Sequence, residues 1–381
     1  MRLGARLANL VISDIRSMSR ACDAVGGINL GQGICDLPTP PPVAGAAIEA
    51  IRTNKVVYTA PEGIAPLRDG IAEKVERLYG LSYDPKSEVV VTTGATGGFA
   101  AACLALFDPG DEIVLFEPYY GYHLNTVLTF GIKPVLVATR PPDWGVDAGA
   151  LRAAITPRTR AILVCTPGNP SGKVWTKEEL DLVASVCEEH DLLAITDEIY
   201  EHMVYDGREH VPLATRGKAK PRTVMISGFS KTFAVTGWRL GYLTASPEIA
   251  RRITIAHDLL YVCAPTPLQY SMVEALKMPE SYYTELLDSY ARKREILCSA
   301  LSDAGLTPYV PQGAYYVLAD IRKLGEPNAK AASMKLLEKT KIASVPGTSF
   351  YMDPVGETLA RFCYAKEEDV LEEAARRLRA L

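Results

Sequence analysis

Short apolar, β-branched runs recur through the middle of the chain and alternate with longer amphipathic stretches. The runs are EVVVTT (88–93), EIVLF (112–116), KPVLVA (133–138), RAILVC (160–165), LLAITD (192–197), RTVMIS (222–227) and LGYLTA (240–245). Each is nearly continuous in apolar character rather than alternating, which predicts strands buried on both faces. Several segments between them carry helical periodicity. One opens with Thr176-Lys177-Glu178-Glu179, a capping box in which hydroxyl and carboxylate each satisfy a backbone N–H of the first turn. This alternation predicts an α/β domain with a mostly parallel sheet.

The pattern changes at both ends. An irregular N-terminal arm closes in the Pro-rich CDLPTPPPV (35–43), and helical AGAAIEAIR follows. Beyond residue 246 the spacing predicts long helices over 247–276 and 280–304. A mixed tail comes next, with AYYVLAD, IASVP and LARFCYA as strand candidates and KEEDVLEEAARRLRAL as an amphipathic closing helix. The expected division is an arm over 1–45, a large domain over 46–280 and a smaller α+β domain over 281–381, to which the arm contributes.

Composition narrows the function classes. Of 381 residues, 48% are hydrophobic and 23% charged, an ordinary globular balance. The net charge is −4 and no basic block stands out, so no nucleic-acid partner is expected. Eight cysteines (22, 35, 103, 165, 187, 263, 298 and 363) form no C-x-x-C pair, which argues against a zinc site or a disulfide framework and for a reducing compartment. The start, MRLGARLANLVISDIRSMSR, lacks the apolar core of a leader. No run approaches the ~20 apolar residues of a membrane span. The expectation is a cytoplasmic protein. The histidines (123, 190, 202, 210 and 257) show no H-E-x-x-H or other ligand spacing, so no metal is expected.

Candidate chemistry centres on SGFSKTFAVTGWRLGY (227–242). Lys231 stands alone among small, apolar and aromatic residues. A free lysine is almost wholly protonated at neutral pH; desolvation and nearby positive charge lower its pKa, as an imine-forming lysine requires. Taken singly, a lysine that snorkels from a strand end is the commoner case. Arg239 follows eight positions on, flanked by Gly237 and Gly241. A guanidinium in such a frame suits a bidentate grip on phosphate where backbone must approach closely.

The Ser230-Lys231 pair with Arg239 in Gly-Trp-Arg-Leu-Gly resembles the cofactor-lysine motif of class I/II (fold type I) aminotransferases, of the aspartate/aromatic/kynurenine-type branch. That resemblance implies the three-layer fold of pyridoxal 5′-phosphate (PLP)-dependent transferases. It makes Lys231 the Schiff-base residue and Arg239, with Ser230, a phosphate ligand. Other segments fall in the family's order. In TDEIYEHM (196–203), Asp197 matches the aspartate paired with the PLP pyridine nitrogen and Tyr200 the tyrosine at its phenolate oxygen. In TPGNPSGKVW (166–175), Asn169 matches the asparagine at the same oxygen and beside the substrate; the stretch is one residue short of a P-loop. VTTGATGGFAAACLALF (91–107) reads as strand, turn and helix and places Gly94, Ala95 and Thr96 at the phosphate, without dinucleotide spacing. FEPYYGYH (116–123) points to Tyr120 as the ring that stacks on the cofactor. In VVYTAPEGIAPLR (56–68), Tyr58 matches a tyrosine that crosses to the neighbouring subunit, which implies a homodimer with shared sites. ARFCYA (360–365) supplies Arg361 for the substrate carboxylate, and LGQGICDLPTP (30–40) supplies Gly33 beside it.

Three positions depart from the family's pattern. Cys35 replaces a usual proline, Leu37 a usual aromatic and Gly228 a usual phosphate-binding serine, for which Ser227 is the candidate substitute. The resemblance implies transfer of an amino group between an L-amino acid and a 2-oxo acid by a ping-pong Schiff-base route, with Lys231, Asp197 and Tyr200 as catalytic groups. The same constellation also serves a C–S lyase or related elimination enzyme. A PLP-binding regulator is a further class, although regulators of this family usually carry a DNA-binding segment, and the sequence has no basic module.

Overall fold

The apolar runs pair edge to edge. The computed structural model describes Leu7 and residues 14–381. Among the described residues the central sheet has seven strands, in the order Val89–Thr92, Gly241–Thr244, Thr223–Gly228, Leu193–Asp197, Thr159–Cys165, Glu112–Glu117, Lys133–Ala138. Pairing is parallel except on either side of Gly241–Thr244, which runs antiparallel to both neighbours.

Each run lacks polar alternation because helices cover both faces. Val90, Ile113, Leu115, Ile195, Ile226 and Leu243 pack against Phe99, Ala102, Ile253 and Ala256 of the helices Gly94–Leu106 and Pro247–Tyr261. On the other face Ile162, Val164 and Ala194 meet Leu180, Val183 and Val186 of the helix Lys177–Glu189. Val89, Val91, Met225 and Tyr242 meet Leu67, Ile71, Val75 and Met272 of the helices Ala65–Tyr79 and Thr266–Ala275. The period of two along each strand thus feeds two cores at once. The capping box forms as expected: Thr176 Oγ1 accepts from Glu179 N at 3.2 Å, and Glu179 Oε2 accepts from Thr176 N at 3.0 Å.

A second sheet joins Val345–Pro346, Leu359–Cys363, Tyr316–Asp320 and Thr307–Tyr309, all antiparallel. Its Tyr316, Val317 and Phe362 share a core with Tyr290, Leu297 and Leu301 of the helix Glu280–Asp303 and with Leu371 and Leu378 of the closing helix Glu368–Arg379. Near the N-terminus, Ile28–Asn29 pairs in parallel with Ile342–Ala343, so the arm is stitched to the tail by backbone hydrogen bonds.

Four expectations are corrected. Lys133–Ala138 is an edge strand with exposed ends, since its far side has no partner in the sheet. The helix expected over 247–276 breaks into two: Val262 turns left-handed at φ 66°, and prolines at 265 and 267 forbid continuation. The arm is not irregular throughout, because Asp14–Ala24 is a helix burying Met18 and Cys22. IASVP is not one strand: Ile342–Ala343 and Val345–Pro346 belong to different sheets. The first stretch of the arm, and the lack of a leader read from it, lie outside the described residues.

Candidate active site

Parallel strands end at one edge of a sheet, and side chains just beyond those ends converge there. Here Gly94–Thr96 follow the strand Val89–Thr92, Tyr120 follows Glu112–Glu117 and Asn169 follows Thr159–Cys165. Asp197 closes Leu193–Asp197, and Ser230 and Lys231 follow Thr223–Gly228. Arg239 precedes the reversed strand Gly241–Thr244, so the antiparallel direction delivers it to the same edge. A cavity of about 380 Å³ opens there. Ala95, Thr96, Tyr120, Asn169, Asp197, Tyr200, Ser230, Lys231, Arg239, Arg361 and Gly33 all line it. Gly94 sits directly behind Arg239: a Cβ on it would stand 2.6 Å from Arg239 Nη2. Tyr58 is elsewhere, 81% exposed in the loop before the helix Ala65–Tyr79.

Lys231 lies half-buried at the cavity wall. Its Nζ makes no hydrogen bond or ion pair among the described residues and lies 5.5 Å from the Tyr315 ring centroid and 5.9 Å from that of Tyr200. Removal from water lowers its pKa to about 8, assisted by the Arg239 charge and opposed by Cys363, Cys35 and Asp197. An amine with that value has a neutral, nucleophilic and basic fraction near physiological pH far larger than that of an ordinary lysine.

Asp197 receives two donors. Its Oδ2 stands 3.0 Å from His123 Nε2, and its Oδ1 accepts from Ile199 N at 3.2 Å. His123, on the first turn of the helix Gly121–Thr129, is wedged edge-on between Tyr120 and Phe99, with centroids 5.2 and 4.9 Å away. Sequence reasoning missed His123; the signal available was its place three residues after Tyr120, one turn on the same helix face. Burial pushes the Tyr200 and Tyr120 phenols far above their ordinary value, so both remain protonated donors.

Arg361 is 1% exposed and has no acidic partner among the described residues. Its Nη1 donates to Asn169 Oδ1 at 2.9 Å and its Nη2 to Gly31 O at 2.7 Å, while Nε is buried without a partner. A buried guanidinium neutralised by nothing is costly, and an incoming carboxylate relieves that cost. At the opposite end, the helix Gly94–Leu106 begins without a side-chain cap, leaving first-turn N–H groups free beside Arg239. That is an anion site by both hydrogen bonding and helix dipole.

Two further corrections concern the end of the cavity at Arg239. Ser227 does not reach the cavity: its Oγ donates to buried Glu201 Oε1 at 2.6 Å on the other side of the strand. Gly228 is glycine for want of room. A Cβ there would meet Gly241 Cα and Ile199 Cδ1 at 3.0 Å. Close backbone approach also explains Gly241, whose Cβ would stand 2.5 Å from Ala95 N, but not Gly237, which has open space around it.

The model of the family described as aminotransferase class I and II matches residues 25–378. The chain belongs to the class I and II aminotransferases. A probable N-succinyldiaminopimelate aminotransferase of Mycobacterium tuberculosis is 36% identical over 99% of this chain and 98% of its own. Human kynurenine–oxoglutarate transaminase 1 is 32% identical over 92% of each. The solved structure of N-succinyldiaminopimelate aminotransferase from M. tuberculosis superposes with a TM-score of 0.96 over 100% of both chains, at 36% identity. As an aminotransferase of this family, the protein is a PLP-dependent enzyme of amino-group transfer, with the fold the resemblance implied. The residues present fit that cofactor. Free helix N–H groups and Arg239 suit its phosphate, the paired Asp197–His123 its ring nitrogen, and an unpartnered amine of lowered pKa its aldehyde. Among the described residues no cluster of three acidic, histidine or cysteine side chains is arranged for a metal, and no helix is long and apolar enough to cross a membrane.

Proposed function

We propose that the cavity transfers an amino group from an L-amino acid to a 2-oxo acid, with Lys231 as both the cofactor's attachment point and the proton carrier. The observation that carries this reading is the half-buried Lys231, its amine without a hydrogen-bond or ion-pair partner among the described residues, in one cavity with Asp197–His123 and with uncompensated Arg361. When bound, PLP supplies the electron sink that makes the amino acid's Cα–H acidic. The chain's residues do the rest. Arg361 receives the α-carboxylate beside the Gly33 backbone. Asn169, its Oδ1 occupied by Arg361, keeps its NH₂ available and would donate to the acceptor oxygen that Tyr200 would also serve. Asp197, oriented by His123, holds a proton on the ring nitrogen. Arg239, Ser230 and the Gly94–Thr96 amides would hold the phosphate, and Tyr120 would pack on the ring. Neutral Lys231 would take the Cα proton onto Nζ, becoming the ammonium, and would give it back from the same nitrogen.

A homodimer belongs to the same proposal. Tyr58 lies with exposed Val56 and Val57 in one loop, and Leu259, Leu260 and Val262 are exposed on a neighbouring helix end. The Thr266 hydroxyl, at the start of the helix that follows that end, donates to Val57 O at 2.7 Å and ties the loop to it. A second copy seated on this apolar face would bring its Tyr58 to the phosphate end. The division at residues 46 and 281 is likewise proposed, supported by the separate cores of the two sheets. A cytoplasmic location is supported by eight unpaired cysteines.

Borohydride reduction of the PLP-loaded protein, followed by peptide mapping, is expected to mark Lys231. Adding an amino acid alone should convert the cofactor to its amine form and release one 2-oxo acid. Reduction that marks another residue overturns the assignment. Release of ammonia and pyruvate from a cysteine conjugate, with no amine form left, would make the enzyme a C–S lyase.

A further inference from the structure

Tyr316 is unassigned by any motif, yet it touches three residues of the site. It sits on the strand Tyr316–Asp320, opposite Cys363 of the strand Leu359–Cys363. Residues opposite one another in an antiparallel pair share a face, and so do residues two apart. Tyr316 and Arg361 therefore project to the same side as diagonal neighbours. The Arg361 guanidinium carbon lies 4.3 Å from the Tyr316 ring centroid and 4.7 Å from that of Phe350, so the charge is held between two rings. The other end of Tyr316 faces the cofactor side. Its hydroxyl accepts from the Tyr200 hydroxyl at 3.3 Å, with the rings crossed edge-to-face. The hydroxyl also fills the space beside Gly33, where a Cβ would fall 1.8 Å from it. Meanwhile the Tyr315 hydroxyl holds the Gly33 carbonyl at 3.2 Å.

We infer that Tyr316 is a positioning residue for amino-group transfer: its ring fixes the plane of the Arg361 guanidinium, and its hydroxyl steadies the Tyr200 hydroxyl. One side chain thereby ties the substrate end of the cavity to the cofactor end. The inference rests on the aminotransferase reading. No ion pair orients Arg361 within the described residues; two hydrogen bonds to neutral oxygens and two flanking rings do so instead. Tyr200 has one proton. When that proton is directed at another acceptor, the Tyr316 hydroxyl is placed to turn and donate to the Tyr200 oxygen, which strengthens Tyr200 as a donor.

Two variants separate ring from hydroxyl. Tyr316→Phe keeps the ring and removes the hydroxyl; Tyr316→Leu removes both. Three readouts apply: kcat and KM for the amino acid, the absorbance–pH titration of the PLP-loaded protein, and the calorimetric affinity of the cofactor-free protein for 3-phenylpropionate, a carboxylate that cannot react. Tyr316→Phe is expected to lower kcat about fivefold, as loss of one hydrogen bond would. It should move the absorbance midpoint upward by about half a pH unit or more, since a weaker Tyr200 donor favours the protonated form. Its affinity for the carboxylate should stay within about twofold, because the cation–π contact is intact. Tyr316→Leu should in addition raise KM and weaken the carboxylate by about tenfold, the loss of one desolvated cation–π contact. An active unmodified protein whose Tyr316→Phe variant keeps kcat and midpoint unchanged overturns the inference, and the Phe variant decides alone if the Leu variant does not fold. Wild-type carboxylate affinity in a folded Leu variant also overturns it. An unmodified protein that transfers no amino group overturns the aminotransferase reading itself, and this inference with it.

Discussion

Beneath the cavity floor Glu201 collects four donors in a place water does not reach. Its Oε1 accepts from Lys74 Nζ and Ser227 Oγ, both at 2.6 Å, and from the Tyr242 hydroxyl at 3.2 Å; its Oε2 accepts from the Tyr79 hydroxyl. The Lys74 and Glu201 side chains are 7% and 3% exposed. Burial alone would raise the Glu201 carboxyl, but Lys74, with His202 and His210, holds it far below the usual carboxylate range. Glu201→Ala removes the anion and strands the Lys74 ammonium. Breaking a buried pair on one side costs about 3–5 kcal/mol. The two tyrosine hydroxyls and Ser227 lose an acceptor as well, each by about 1 kcal/mol at most after relaxation, so the expected loss lies near the top of that range. Lys74→Met/Glu201→Gln removes both charges and keeps an amide oxygen for the hydroxyls. It is expected within about 1 kcal/mol of the unaltered protein, because desolvating two ions offsets most of what their attraction supplies. Urea unfolding followed by intrinsic fluorescence reads both variants. A single variant that loses less than about 1 kcal/mol, or a double variant as unstable as the single, would refute the reasoning. The pH sign follows from the lowered carboxyl. The Glu201 contribution is complete above the unfolded value near 4.5 and disappears as pH falls through the lower folded value, so Glu201→Gln should flatten the acid limb of the stability profile.

Other outcomes follow from the cavity. Lys231 in the cofactor-free protein should react with a small aldehyde with a pH midpoint near 8, measured by trapped adduct against pH, and a midpoint near that of a free lysine would contradict its desolvation. At pH 7 such an amine is about one-tenth neutral, against roughly three parts in ten thousand for an ordinary lysine. Gly228→Ser, which restores the family's usual residue, should destabilise the protein and fail to tighten PLP in a fluorescence titration, because the added Cβ presses on Gly241. Arg361→Lys should raise KM for the amino acid by about a hundredfold with little change in PLP affinity, since an ammonium cannot reproduce the planar two-pronged contact; equal losses of both would place Arg361 at the cofactor instead.

Much of this was legible in the residues. The strands were readable because parallel sheet buried on both faces leaves unbroken apolar runs, and the Thr176 capping box because its signal is local. The candidate site's members were legible only together: a single lysine or arginine more often has a structural use, but Lys231, Arg239 and Asp197 fall in one order along the chain and line one cavity. What escaped notice depends on partners distant in sequence. His123 acquires meaning only from Asp197, Tyr316 only from Arg361 and Tyr200, and Ser227 points inward because Glu201 waits there. KPVLVA read as interior because composition does not reveal that no strand flanks it. The break at Val262 was written in prolines 265 and 267, but helical periodicity on both sides masked it.

The registered contact of Gly228 with Gly241 has a consequence for how the enzyme can diversify. The chain leaves the sheet at one glycine and re-enters it at the other, so Lys231 and Arg239 ride on a single closed excursion whose two feet are clamped side by side. An added or deleted residue within it would displace Lys231 and Arg239 together, whereas Gly33, Tyr316 and Arg361 are carried by the arm and the second sheet and lie outside that excursion.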